Sequence, residues 1–236
     1  MTARARAISD VVEASALGGG RMPLRHNLVS SAVHIISLGF GASTGREGPA
    51  VHLGATLSAF FAARLGLGRT QSRTMLGCGV AAATASLFNA PVAGVVFAIE
   101  VVVGNLSLKA AVPIVLASVT GTVIGRYHFG SEPAFTVPTH ELISLWEFPA
   151  FAILGLVSAL AAIGFMQAIF AAGRLAERSR LPGWLQPAVG GLVVGLIAIS
   201  LPQVLGVGYL TTDAAMRAEF GLAMLLVLIV GKIVAT

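Results

Sequence analysis

The residues best suited to chemistry are Gly45-Arg46-Glu47-Gly48-Pro49, two charges and a proline set among glycines in sequence that otherwise reads as membrane-buried. Apolar sequence leads in from Leu28 to Phe40, and apolar helix-forming sequence leaves from Ala50 to Ala63. An arginine and a glutamate at bilayer depth are costly, and residues of this kind mark functional sites. Pro49 suits the first turn of a helix, where its missing N–H is no loss. The pentapeptide therefore predicts a helix N-terminus held inside the membrane, with its amides turned into a cavity. Such a terminus favours anions. Non-helical backbone at that depth is tolerated only where it is buried in protein or lines water. The amides of Gly48 and of Ala50 onward are the candidates to face an ion, and Gly45 and Gly48 permit close backbone approach. Arg46 either draws anions toward the site or holds the loop through hydrogen bonds to carbonyls.

The elements that must position this pentapeptide are apolar helices. Hydrophobic residues make up 56% of the chain and charged residues 11%, and the mean hydropathy is +0.88. A soluble domain carries about 25% charged residues, so an all-α integral membrane protein with several spans is predicted. The net charge of +5 does not indicate nucleic acid, because the basic residues sit at the ends of spans. Apolar segments run over 28–44, 49–67, 74–88, 91–103, 108–127, 148–173, 184–201 and 218–235. A full crossing needs about 20 residues. Segments 108–127 and 148–173 meet that length, whereas 74–88 and 91–103 fall short and join at Asn89-Ala90-Pro91. Interrupted pieces among full spans are the sequence sign of an ion or substrate site near the midplane. Glycines within the segments, including Gly54, Gly94, Gly190, Gly191 and Gly195, are read as helix-packing positions.

Orientation follows from two loops. Glu132, Glu141 and Glu147 precede the longest segment with no Lys or Arg nearby, and Arg174, Arg178 and Arg180 follow it. The second loop is expected on the cytoplasmic side and the first outside; the basic stretch Arg64 to Arg73 is cytoplasmic by the same rule. The stretch 128–147, with Pro133 and Pro138, is read as an external connection between two halves, 1–147 and 148–236.

Other residues have plainer readings. Asn89, at the helix break, is placed to cap the amides of the following turn, and Pro91 starts the next helix. Phe88 and Phe97 are packing residues. His34 and His52 lack acidic or Cys neighbours at ligand spacing, so no metal site is expected. Cys78 is a lone buried thiol. Gly77-x-Gly79 lacks the preceding strand of a dinucleotide site. An intramembrane protease would need Ser43 and His52 brought together, with no motif in support.

Two blocks carry a family resemblance. Gly45-Arg46-Glu47-Gly48-Pro49 followed by Ala-Val-His-Leu-Gly54 resembles the signature of the CLC chloride channels and chloride/proton antiporters. The block from Gly77 through Phe88-Asn89-Ala90-Pro91-Val-Ala-Gly94 to Phe97-Ala-Ile-Glu100 is similar to the second signature of that family. Gly206-Val-Gly208-Tyr209 and Lys232-Ile-Val-Ala-Thr236 match more weakly. The resemblance implies a multi-span inverted-repeat bundle with broken and re-entrant helices. It implies a homodimer in the lipid bilayer, each subunit with its own anion pathway. The chain then holds the later part of the first repeat (1–147) and the start of the second (148–236), incomplete at both ends. Glu47 becomes a gate whose carboxylate occupies the anion site when ionised and leaves when protonated or displaced; the plainer alternative is a structural pair with Arg46. Chloride is the implied transported ion, with no cofactor, no metal and no covalent catalysis.

Two departures bear on mechanism. Proton-coupled relatives often carry a second acid after the position of Glu100, and Val101 stands there, which favours a channel over an antiporter. Glu100 itself is read as structural, a salt-bridge partner. The family's first anion motif has no counterpart where Arg4-Ala-Arg6-Ala-Ile8-Ser9-Asp10 stands, so no anion-coordinating serine can be assigned.

Overall fold

The computed structural model describes residues 8–104, 107–131, 135, 144–179, 181–183 and 185–236. The expectations for Arg4, Arg6, Glu132, Pro133, Pro138, Glu141 and Arg180 lie outside the described residues. The described elements are helical and fall into two compact units, Met1–Phe40 with Gly45–Ala134, and Gly41–Thr44 with Phe135–Thr236.

The first unit contains α1 (Ile8–Ala16), α2 (Leu24–Gly39), α3 (Glu47–Arg64), α4 (Arg69–Phe88), α5 (Pro91–Phe97) and α6 (Leu108–Phe129). α5 runs on into a π-helical turn, Ala98–Val103, which ends at Gly104 with φ 66°. The core gathers around α4. Leu76, Val80, Ala81 and Ala85 are wholly buried there, together with Val11 of α1, Ala55 of α3 and Ile114 of α6. α4 admits neighbours closely because its own residues are small. A β-carbon added at Gly54 would lie 2.5 Å from the Gly79 carbonyl oxygen, and one at Gly94 would lie 2.7 Å from that of Ala81. Small residues at such crossings let backbones approach and gain dispersion contacts that lipid cannot supply.

Buried polar groups tie the helices together. Asn27 of α2 donates Nδ2–H to Thr56 Oγ1 at 3.3 Å, and Thr56 donates its own proton to the His52 carbonyl at 2.7 Å. Ser118 of α6 donates to the Pro91 carbonyl at 2.6 Å. His34 contacts the Ser30 carbonyl within α2 at 2.9 Å. Phe97 packs against the core cluster.

The second unit contains α7 (Glu147–Arg178), α8 (Gln186–Ser200), a short 3₁₀ turn (Pro202–Val204), α9 (Tyr209–Met216) and α10 (Leu222–Ala235). α7 has 32 residues and an apolar window of mean hydropathy 2.2, none of it buried. At about 1.5 Å per residue it is longer than a ~30 Å hydrocarbon core. The loop after the 3₁₀ turn is held by Lys232, whose ammonium donates to the carbonyls of Val204 at 2.9 Å and Gly206 at 2.7 Å. Ser43 Oγ and Thr236 Oγ1 share a hydrogen bond of 3.1 Å.

Three expectations are revised. α4 begins at Arg69 rather than near 74, because a polar first turn is helical too, and hydropathy alone does not register it. α1 and α9 were not anticipated. The N-terminal stretch reads as polar, yet Val11 and Ser15 of α1 are completely buried and Ile8 packs against the core. Gly190, Gly191 and Gly195 of α8 do not pack as Gly54 and Gly94 do: among the described residues nothing lies within 4 Å of where their β-carbons would be.

Candidate functional site

The pentapeptide forms the start of α3. Glu47 is the first helical residue, Arg46 caps the helix with its backbone, and Pro49 is third rather than first. The helix thus begins two residues earlier than Pro49 suggests. Its first intrahelical bond runs from the Ala50 amide to the Arg46 carbonyl, at 3.2 Å. Ala50 N–H is therefore engaged, and Pro49 has none to offer. The first-turn donor beyond Glu47 that no helical carbonyl reaches is Gly48 N–H. This narrows the set of amides that can face an ion.

Glu47 is half-buried at the positive end of an 18-residue helix, with its carboxylate folded back toward Gly45. A β-carbon at residue 45 would come within 2.5 Å of Glu47 Oε2, so only glycine leaves room for that position of the carboxylate. Negative charge in a first helical turn is stabilised by the dipole. A carboxylate and a mobile anion would be stabilised there for the same reason.

Arg46 and Ala50 line a cavity of about 850 Å³ between α3, α4 and α6, together with Gly54, Ser58, Asn89 and Arg126. Among the described residues its lining holds two cations, Arg46 and Arg126, and neither aspartate nor glutamate. Glu47 itself is not part of that lining.

Asn89 departs from its expected role. It closes α4 in a left-handed conformation (φ 54°, ψ 34°), and α5 begins after Ala90 with no side-chain cap. Its amide instead bridges to the far end of α6: Oδ1 accepts from Arg126 Nε at 2.6 Å, and Nδ2 donates to the Ser131 carbonyl at 2.9 Å. Asparagine tolerates αL better than other residues with side chains, and here the conformation frees the amide to reach α6. Pro91 is the first residue of α5, as its fixed φ allows. Arg126 was missed by sequence reasoning. The available signal was a single arginine at the end of α6 that the loop charges place outside, where the positive-inside rule disfavours it.

Glu100 and Val101 lie in the π-helical turn, both exposed. Glu100 makes no ion pair among the described residues, so its reading as a salt-bridge partner is not supported. Ser43 and His52 are separately engaged, Ser43 with Thr236 and the His52 carbonyl with Thr56. Among the described residues no group of three or more His, Cys, Asp or Glu could hold a metal ion.

A family model for voltage-gated chloride channels matches residues 1–236. A ClcB-like chloride channel protein from Ralstonia nicotianae is 34% identical over 231 residues, 96% of this chain and 54% of that protein. Chloride channel protein CLC-f of Arabidopsis thaliana is 32% identical, over 85% of this chain and 28% of that protein. The chain thus spans about half or less of the length of these relatives. Among solved structures, a CLC-type fluoride/proton antiporter superposes with a TM-score of 0.82 at 24% identity, covering 98% of this chain and 59% of that one. A slow cyanobacterial chloride/proton antiporter superposes with a TM-score of 0.78 at 20% identity, covering 91% and 52%. These likenesses carry the fold, with its broken helices, over nearly the whole chain. With the family model matched from end to end, the chain belongs to the voltage-gated chloride channel (CLC) family.

Proposed function

We propose that this chain supplies part of the anion pathway of a membrane chloride transporter, with Glu47 as its gate. The observation that carries the reading is the folded-back carboxylate at the start of α3, seated over Gly45 where a β-carbon would displace it. When ionised, it holds the dipole-made site against chloride; protonation or displacement by chloride releases it. Gly45, Arg46, Gly48, Pro49 and Ala50 build the site. Gly48 offers its amide, and Ala50 contributes by closing the first turn. Asn89, Pro91, Glu100 and Val101 stand beside the pathway as structural residues.

Within this reading the protein is a gated chloride channel, because Val101 cannot carry a proton where proton-coupled relatives use an acid. The second reading is a chloride/proton antiporter, favoured by the two superposed structures, both described as antiporters. Residues 1–147 are the later part of one membrane repeat and 148–236 the start of its inverted partner. The assembled protein is a multi-pass homodimer in the bilayer. α7, apolar and unburied along its length, supports that setting.

The test is Glu47→Gln and Glu47→Ala in the full-length protein reconstituted in vesicles. Anion flux is expected to persist and to lose its response to acid. Unchanged flux with unchanged acid sensitivity overturns the gate. The reversal potential under opposed proton and chloride gradients separates channel from antiporter. Chloride efflux mediated by this chain alone would contradict its being only part of a pathway.

A further inference from the structure

Past the end of α3 remote from Glu47, at Leu67 of the α3–α4 connection, lies a second cavity, of about 430 Å³, which the transport reading does not use. It lies between the α3–α4 connection, the starts of α4 and α6, and the end of the π-helical turn; Thr70, Arg73, Thr74, Cys78, Ser107 and Lys109 are among its lining residues. An 18-residue helix at about 1.5 Å per residue separates it from Glu47 by roughly 27 Å.

The charge here is one-sided. Arg73 and Lys109 line the cavity, and among the described residues no Asp or Glu does. Two helices start at its wall, with Thr70 in the first turn of α4 and Lys109 in that of α6, and neither first turn contains an acid. Cations at a helix N-terminus oppose the dipole, whereas an anion there is stabilised. The cavity thus gathers positive potential from two side chains and two helix starts, offset in part by the Val103 carbonyl at the end of the π-helical turn.

The donors are also held in place. Arg73 Nη2 donates to the Val103 carbonyl at 3.0 Å, which fixes the guanidinium. Arg73 Nε is buried and has no acceptor among the described residues. Ser107 Oγ accepts from the Ala110 amide at 3.3 Å, leaving its own proton to donate. Donors spread over two helix starts suit an anion with several oxygens better than a single halide. An arginine fork matches phosphate geometry, and lysine adds a point charge.

We propose that this cavity binds a phosphate oxyanion at the cytoplasmic membrane surface, the side on which the positive-inside rule places the basic stretch Arg64 to Arg73. The same chemistry is presented by inorganic phosphate and by the headgroup phosphate of an anionic lipid. The proposal does not rest on the role of Glu47.

Cys78 is the only cysteine of the chain and lines the cavity, so it reports occupancy. The full chain in maltoside micelles is labelled with a thiol-reactive fluorophore in two arms. One arm adds inorganic phosphate, with sodium chloride of matched ionic strength as control; the other adds phosphatidic acid to the micelles. Labelling is expected to slow by roughly fivefold or more in at least one arm, with a parallel rise in melting temperature. Protection by phosphate identifies the free anion, and protection only by phosphatidic acid identifies the headgroup. Lys109→Gln, at an exposed position, and Arg73→Gln are each expected to abolish most of the protection. The proposal is overturned if neither arm protects, if chloride protects equally well, or if Lys109→Gln retains full protection.

Discussion

α4 and α7 are both long helices of a membrane protein, and they solve opposite problems. α4 has eight buried residues in twenty, and α7 has none in thirty-two. Both helices carry small residues, and the difference is whether neighbouring helices meet them. α4 is rich in Gly, Ala, Ser and Thr, so α3, α5 and α6 reach its backbone. α7 presents Leu, Ile and Phe on every side, and none of the described residues approaches Gly155, Gly164 or Gly173. Because lipid is as apolar as leucine, hydrophobicity alone does not drive these helices together; close approach and hydrogen bonds do. The helix that organises the first unit is therefore the less hydrophobic of the two.

The contrast can be broken most severely at the α3–α4 crossing. Gly79→Leu would drive a side chain into Ser58 and the Gly54 carbonyl, while Gly164→Leu meets open space. The first is expected to cost about 3 kcal/mol or more, and the second to stay within about 0.5 kcal/mol. Unfolding of the chain by a denaturing detergent in mixed micelles measures both. Equal effects would show that the crossing does not organise the unit.

Leu76→Ala comes next. Leu76 is wholly buried, and its truncation is expected to cost about 2–4 kcal/mol through the cavity left behind. Leu160 of α7 is 70% exposed, so Leu160→Ala in the same assay is expected to do almost nothing. A spin label at residue 160 should be relaxed by dissolved oxygen rather than by aqueous reagents if lipid covers that face.

Asn89→Ala is an intermediate case. It removes two hydrogen bonds to the end of α6 and leaves a β-branch-free but chiral residue at φ 54°. The expected cost is about 1–2 kcal/mol. Asn89→Gly should recover the backbone part of the loss and not the bridge to Arg126, which separates the two contributions.

A small effect is expected at an ion pair of the second unit. Arg217 and Asp213 pair at 2.8 Å across one turn of helix, and Arg217 is 53% exposed. Asp213→Asn is expected to cost no more than about 0.5 kcal/mol, and less in high salt. A larger loss would mean that this carboxylate does more than pair along its own helix.

Much of the site was legible because its rules are local. A glycine-flanked Arg-Glu-Gly-Pro in apolar sequence predicts a helix start, and α3 does begin there, at Glu47. Pro91 begins α5 through the fixed φ of its ring. What was not legible depended on distant partners. Ala50 looked able to offer its amide until the helix was seen to start at Glu47, so that the Arg46 carbonyl takes that bond. Asn89 looked like a cap for the next helix, and it is turned by its left-handed backbone toward Arg126, 37 residues later.

By itself, the amino-acid sequence determined the membrane class, the family, the place of the anion-favouring helix start and the break at Asn89-Ala90-Pro91. Each of these is decided by composition or by the sterics of a few neighbouring residues. The tertiary structure alone decided which glycines are crossings and which are bare, that Val11 and Ser15 of α1 are buried in polar sequence, and that Lys232 holds the loop around Gly206. It also brought Arg73 and Lys109 to one cavity. Those outcomes turn on which helices meet, and a backbone contact between residues far apart in the chain leaves no mark in the local pattern of either.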